Sequence, residues 1–241
     1  AIEGQLLFAA FISAIVASLT QNLLWGLISA PIAGALVSLI LAYFAINFKV
    51  DQVIIGFVIN VLVLGLTNFP DMPEVQESGK TLSENAKLKA KSISIFTKLP
   101  CLADDSGLFI DALEGDPGIY SARWAGYEGE DSRERDRMNI EKVLAQLKDV
   151  PAQKRGAQFK AVVAFYKPTT DALAIEKEEL GVMPGEIVLA PLGDGGFGYD
   201  PIFKPTGFDQ TLAQLSPGVK DEVSHRGIAF RAMTPFLLSN L

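Results

Sequence analysis

Two adjacent carboxylates, Asp104 and Asp105, followed by Ser106 and Gly107, stand near the start of LADDSGLFIDALEGDPGIYSARWAG, residues 102–126. Paired acids are the groups that metal-assisted hydrolysis uses: one carboxylate holds a hard cation while its neighbour orients or deprotonates water. The apolar residues before the pair predict a buried strand over 99–103 that delivers both acids to its exposed end. Open α/β sheets place their sites at such ends. A short strand continuation is expected over 108–110. The plainer reading of Asp-Asp-Ser-Gly is a turn with a capping aspartate. Lys89 supplies a cation four positions after Asn85, so the two share one helix face, although a lysine on a helix is most simply solvated. Residues 193–201, GDGGFGYDP, place four glycines within six positions. That backbone freedom can present Phe197 to a flat ligand, or can make an ordinary turn plugged by an aromatic. The stretch has neither the phosphate-loop pattern nor the dinucleotide spacing. His225, the single histidine, stands in Ser224-His225-Arg226, where a structural role is the simpler one.

The elements that must hold these residues follow from pattern. Thr81-Leu82-Ser83-Glu84 reads as a capping box opening a helix to about residue 96, with Leu82, Ala86, Ala90 and Ile93 inward. Residues 116–118, Asp-Pro-Gly, form a turn, and residues 120–124 a loop. Residues 133–147 form a charged amphipathic helix. Phe159, Ala161, Val163 and Phe165 alternate within a strand over 157–166. The polar excursion 167–184 holds a hairpin, 185–189 another strand, and 215–240 is helical with a break near Ser224–Arg226. Short apolar runs alternating with polar helical patterns indicate an α/β or α+β domain.

Composition divides the 241 residues sharply. Residues 1–69 carry only Glu3, Lys49 and Asp51 as charges, so 46 of the 49 charged residues lie beyond them. The net charge of −7 gives no basic footprint for nucleic acid, so no nucleic-acid partner is expected. Cys101 is the single cysteine, which excludes an internal disulfide and fits a reducing compartment. Residues 6–20, 23–48 and 53–69 form three apolar segments. A helix needs about twenty apolar residues to span a bilayer, so three transmembrane-like helices are expected, the outer two borderline; a buried helical hairpin is the alternative. Small residues at Ala30, Ala33, Gly34, Ala35 and Ser38 suit close helix packing in lipid. The expected organisation is a membrane-embedded unit over 1–69 and an α/β domain over 70–241.

Two resemblances sharpen this reading. AIEGQLLFAAFISAIVASL and LAYFAINFKVDQVIIGFVINVLVLGLTNF resemble a fragment of the permease subunit of ABC transporters for nucleosides and simple sugars. ENAKLKA, LADDSGLFIDALEGDPGIYSARWAG, GFGYDPIF and LSPGVKDEVSHR, in that order over about residues 70–235, resemble the inosine/xanthosine triphosphate pyrophosphatase family. That resemblance implies a two-lobed α/β fold with a long mixed sheet, a homodimer and a cytoplasmic hydrolase domain. It implies hydrolysis of the deaminated purine triphosphates ITP, dITP and XTP to a monophosphate and pyrophosphate with Mg²⁺. By resemblance, Asp105 is proton acceptor and metal ligand, Asp104 assists, and Glu77 is a second metal ligand. Lys89 meets the phosphates and Ser106 the substrate. Phe197, Gly198, Tyr199 and Asp200 form the base pocket, and Lys220, His225 and Arg226 donate to the base. Donors there favour the O6 acceptor of hypoxanthine or xanthine over the amino group of adenine.

The sequence departs from the family at two places. The family's first strand, with its Thr/Ser-x-Asn-x-x-Lys loop, is replaced by the permease-like stretch. The join reads as a gene fusion, a deletion or an error of gene assembly. Gln76 stands where the family has the first of two consecutive glutamates, leaving Glu77 as the acid. An alternative function follows: a membrane-anchored protein that binds nucleotide without hydrolysing it, or a permease fragment joined to a decayed hydrolase.

Overall fold

The computed structural model describes residues 74–169 and 174–240, together with Met72 and scattered positions between Val16 and Ile32. The chain divides into two compact units, Ala1–Met72 and Pro73–Leu241. In the first unit the described positions are helical apart from Asn22 and Met72, and Thr20 donates to the Val16 carbonyl at 2.6 Å.

The second unit opens with helix α1 (Leu82–Thr97). The Thr81 hydroxyl caps it by accepting from the Glu84 amide at 3.1 Å, and the Glu84 carboxylate reaches back to the Lys80 amide at 2.6 Å. The box is therefore shifted by one residue on its return arm. Its far end closes on Lys98, whose φ of 59° is the left-handed conformation that ends many helices. Strand β1 (Cys101–Ile110) follows, then 3-10 turns at Asp111–Leu113 and Gly118–Arg123. Helix α2 (Ser132–Gln146), with Asp131 as its cap, leads to strands β2 (Gly156–Lys167) and β3 (Ile175–Ile187). The short β4 (Phe203–Pro205) precedes helices α3 (Pro217–Val223) and α4 (His225–Asn240).

The four strands lie in the order β1-β2-β3-β4, and every pairing is antiparallel. The expected mixed sheet is thus corrected to an antiparallel one among the described residues. β2 and β3 are too close in sequence for the long crossover that parallel neighbours require. The polar excursion expected after residue 167 is largely β3 itself, a strand of 13 residues. The three transmembrane-like helices are not upheld either: among the described residues no helix is long and apolar enough to cross a membrane. Apolar composition does not make a span without a continuous helix of about twenty residues. Most of residues 1–69 lie outside the described residues, and so does the place of the family's first strand.

The two faces of the sheet take different helices because side chains alternate along a strand. Leu82, Ala86 and Ala90 of α1 pack on Val162 and Ala164. On the opposite face, Ala229 and Met233 of α4 cover Ala161, Val163 and Phe165. There too, Ile140 and Val143 of α2 join Leu108, Ile110, Phe159, Phe203 and Leu212. Segment 117–121 lies along the outer edge of β1: Phe109 bridges Pro117, and the Leu108 amide donates to Ser121 Oγ at 2.8 Å. Its close approach requires Gly107, where a Cβ would come within 2.2 Å of the Gly118 carbonyl oxygen.

Candidate active site

Asp104 and Asp105 sit in the middle of β1 rather than at its end, paired with Val163 and Val162 of β2. Consecutive strand residues point to opposite faces. The two acids therefore point away from each other across the sheet. Each organises a cluster of its own.

Asp105 faces α1. Its carboxylate is 8% exposed and accepts from Lys89 Nζ at 2.8 Å and from Asn85 Nδ2 at 3.3 Å. The shared helix face of Asn85 and Lys89 thus becomes two donors to one acid. Lys89 Nζ also meets Glu77 Oε1 at 3.1 Å, and Arg123 approaches Glu77 Oε2 at 3.5 Å. Asn85 is fully buried, and its Oδ1 accepts from the Gly79 amide at 2.8 Å, which ties segment 74–79 to the helix. Burial, reinforced by the Glu77 charge, raises the Asp105 pKa above the usual carboxylate value against the pull of Lys89 and Asn85. Burial opposes the charge on Lys89, but hydrogen bonds and attraction from Asp105 and Glu77 outweigh it and raise its pKa. The result is a charged ammonium beside a carboxylate made more basic than an exposed one.

Asp104 faces α4 and accepts from Arg226 Nε at 2.8 Å. The Arg226 guanidinium carbon lies 5.8 Å from the centre of the Phe197 ring, and Lys220 Nζ lies 5.0 Å from it. Phe197 is 63% exposed, an apolar ring left open to solvent with two cations around it. Lys220 is held by Asp200 Oδ2 at 2.5 Å, and the same oxygen accepts from the Phe197 amide at 2.9 Å. Gly196 has φ +78°, and a Cβ there would meet Asp200 Oδ2 at 2.1 Å, so this position needs glycine. Ser106 is half-buried on the face that carries Asp104.

His225 stacks on Phe159 with ring centres 4.8 Å apart and planes at 9°, and its Nδ1 is buried without a partner. Burial and the Arg226 charge, opposed by Asp104 and reinforced by Lys220, hold its pKa down at about 4. The imidazole is therefore neutral near pH 7 and donates from one nitrogen only. Tyr199 is 4% exposed, and its hydroxyl donates to the Ser121 carbonyl at 2.9 Å. Burial and the Asp136 carboxylate raise the phenol pKa. Tyr199 thus plugs the core beneath the loop, while Phe197 faces outward.

Three contributors escaped the sequence reading. Arg123 reaches Glu77 from the loop after β1, Asp136 of α2 accepts from the Gly198 amide at 2.7 Å, and Asn139 of α2 holds the 121–125 backbone. A buried asparagine on an otherwise charged helix was the available signal. Nothing local tells which loops it would meet.

The donor set fits a hard divalent cation. Glu77 and Asp105 share Lys89 as a neighbour, and Mg²⁺ commonly takes one or two carboxylates, completing its shell with water and phosphate oxygens. Among the described residues no group of three or more His, Cys, Asp or Glu could hold a metal ion. A ligand set completed by substrate is therefore the arrangement these residues suit.

Comparison with known proteins gives the family of the chain. The Ham1 family model matches residues 49–236, and that of the branched-chain amino acid transport system permease component matches residues 1–96. The chain is 46% identical to the dITP/XTP pyrophosphatase of Nocardia farcinica, over 75% of this chain and 83% of that protein. It is 44% identical to the one of Streptomyces coelicolor, over 72% and 82%. The solved Ham1 protein of Staphylococcus aureus superposes with a TM-score of 0.63 at 40% identity, covering 72% of this chain and 84% of that one. With this extent of match, in both sequence and fold, the chain belongs to the Ham1 family.

Proposed function

We propose that this chain hydrolyses deaminated purine nucleoside triphosphates, ITP, dITP and XTP, to the monophosphate and pyrophosphate. The observation that carries the reading is the arrangement about one peptide link of β1. Asp105 lies with Lys89 and Glu77 on one side, and Asp104 holds Arg226 beside the open Phe197 ring on the other. The relatives' names, dITP/XTP pyrophosphatase, supply the substrate class. The alternative of a membrane-anchored, non-hydrolysing protein is not favoured.

In this reading Asp105 takes the proton of a water that attacks the α-phosphorus. The bond to the bridging oxygen breaks and pyrophosphate leaves. The raised pKa of Asp105 strengthens it as a base. Lys89 faces the phosphates as a point charge. Asp105 and Glu77 would hold Mg²⁺, which supplies charge neutralisation and orientation of the triphosphate. The purine stacks on Phe197, with Lys220, Arg226 and the neutral His225 presenting donors to O6. Adenine places a donor there, leaving donor against donor in a desolvated pocket.

Asp105→Asn keeps the shape and removes the base. Pyrophosphate release from ITP with Mg²⁺ should fall by about 10²–10⁴-fold, measured by coupled pyrophosphate detection. Release by the variant at the wild-type rate, or none from folded wild type at high concentration, overturns the reading.

A further inference from the structure

We propose that Asp136, on α2, is a positioning residue that sets the Phe197 ring for the purine by holding the backbone of the glycine-rich loop. The proposal rests on the functional reading above and deepens it.

Packing fixes the loop at Gly193, Gly195 and Gly196, against Ala213, Gln214 and Asp200, but not at Gly198 beside the ring. Gly193, Gly196 and Gly198 all have positive φ, and a Cβ at Gly198 would have nothing within 4 Å. What remains is hydrogen bonding, and two successive amides, those of Phe197 and Gly198, each point at a carboxylate. The Phe197 amide donates to Asp200 Oδ2 at 2.9 Å, and the Gly198 amide donates to Asp136 Oδ2 at 2.7 Å. Asp200 is three residues away and belongs to the same loop. Asp136 lies 62 residues earlier on a separate helix and is the external reference.

That helix is itself well anchored. Ile140 and Val143 are in the core, and Asn139, 2% exposed, follows Asp136 by three positions on the same helix face. Asn139 donates to the Ser121 and Ala122 carbonyls at 3.3 and 3.2 Å and accepts from the Ala125 amide at 2.7 Å. A hydrogen bond to an ionised carboxylate is roughly twice as strong as a neutral one. Of the two carboxylate bonds on the loop only the one to Asp136 ties the Gly198 peptide to another element, so its removal frees that peptide and the ring beside it.

The test is a double-mutant cycle on the full chain. ITP binding is read by calorimetry in EDTA, and KM and kcat for ITP are read with Mg²⁺. Asp136→Ala should weaken ITP binding and raise KM by about tenfold, with kcat changed far less. Asp136→Asn keeps a neutral acceptor and should recover most of the loss. In a Phe197→Ala background neither substitution should weaken binding further. Equal weakening with and without the Phe197 ring overturns the proposal and leaves the functional reading standing. If Phe197→Ala alone leaves ITP affinity unchanged, the base-stacking reading falls and the proposal with it. Should Asp136→Ala fail to fold, by its thermal transition, Asp136→Ser, whose shorter side chain cannot reach the Gly198 amide, takes its place in the cycle with the same expected and overturning outcomes.

Discussion

Asp104 and Asp105 show how much one residue of register decides. As neighbours in sequence they suggest a working pair, but a strand turns them to opposite faces, one toward Lys89 and the other toward Arg226. His225 is also decided by its surroundings. Its imidazole is packed against Phe159 beside Arg226, Lys220 and Asp104, and its pKa is held at about 4 against an ordinary 6.5. The folded state therefore favours the neutral ring. The unfolded chain takes up its proton first as pH falls, so this stability is complete above about pH 6.5 and is lost between 6.5 and 4. The loss amounts to about 3 kcal/mol at most. The melting temperature should drop more steeply across that window for the wild type than for His225→Gln, as scanning calorimetry at stepped pH will show. A parallel decline of the two would contradict the assignment.

At the scale of elements, α1 was readable almost to its ends. Its cap, its apolar face and the four-residue spacing of Asn85 and Lys89 are all local. β3 was readable only at its end, where 185–187 fall in the expected strand, because Glu176, Lys177, Glu178 and Glu179 give the rest a charged surface and pairing with β2 outweighs that composition. The docking of α4 was equally invisible. It comes so close to β3 that a Cβ on Gly181 would stand 1.9 Å from the His225 carbonyl oxygen and 2.7 Å from the Ala229 amide nitrogen. Gly181→Ala must push the start of α4 off the sheet and carry His225 and Arg226 with it. A cost of about 1–3 kcal/mol is expected from overpacking. Thermal melts should show that loss, and KM for ITP should rise because Arg226 no longer meets Asp104 beside Phe197.

For the whole molecule, a net charge of −7 and a polyanionic substrate look mismatched until the cations are placed. Lys89 and Arg123 gather at Glu77, and Lys220 and Arg226 gather at Phe197, so cations held by local carboxylates stand where a polyanion would be met on an acidic chain. The two ends of the proposed site come from different layers, α1 with β1 and the glycine-rich loop with α4. Substrate that bridges them must stabilise the fold. ITP at a hundred times its dissociation constant, with EDTA to prevent turnover, should add about 2.7 kcal/mol of stability. Differential scanning fluorimetry should show a rise of several degrees, and ATP at the same concentration should give a smaller one. Equal shifts would argue against base selection at Phe197.

The sequence by itself determined the motifs, the helix that carries Lys89 and Asn85, the strand that leads into the acids, and the glycine-rich loop that carries Phe197. Those depend on capping, periodicity and glycine freedom, which act within a few residues. Only the tertiary structure decided that the acids part company across the sheet, that Tyr199 is a plug while Phe197 is open, and that Asp136 holds the loop. These outcomes depend on strand register and on contacts between residues far apart in the chain, where packing selects among local arrangements that the sequence leaves equally open.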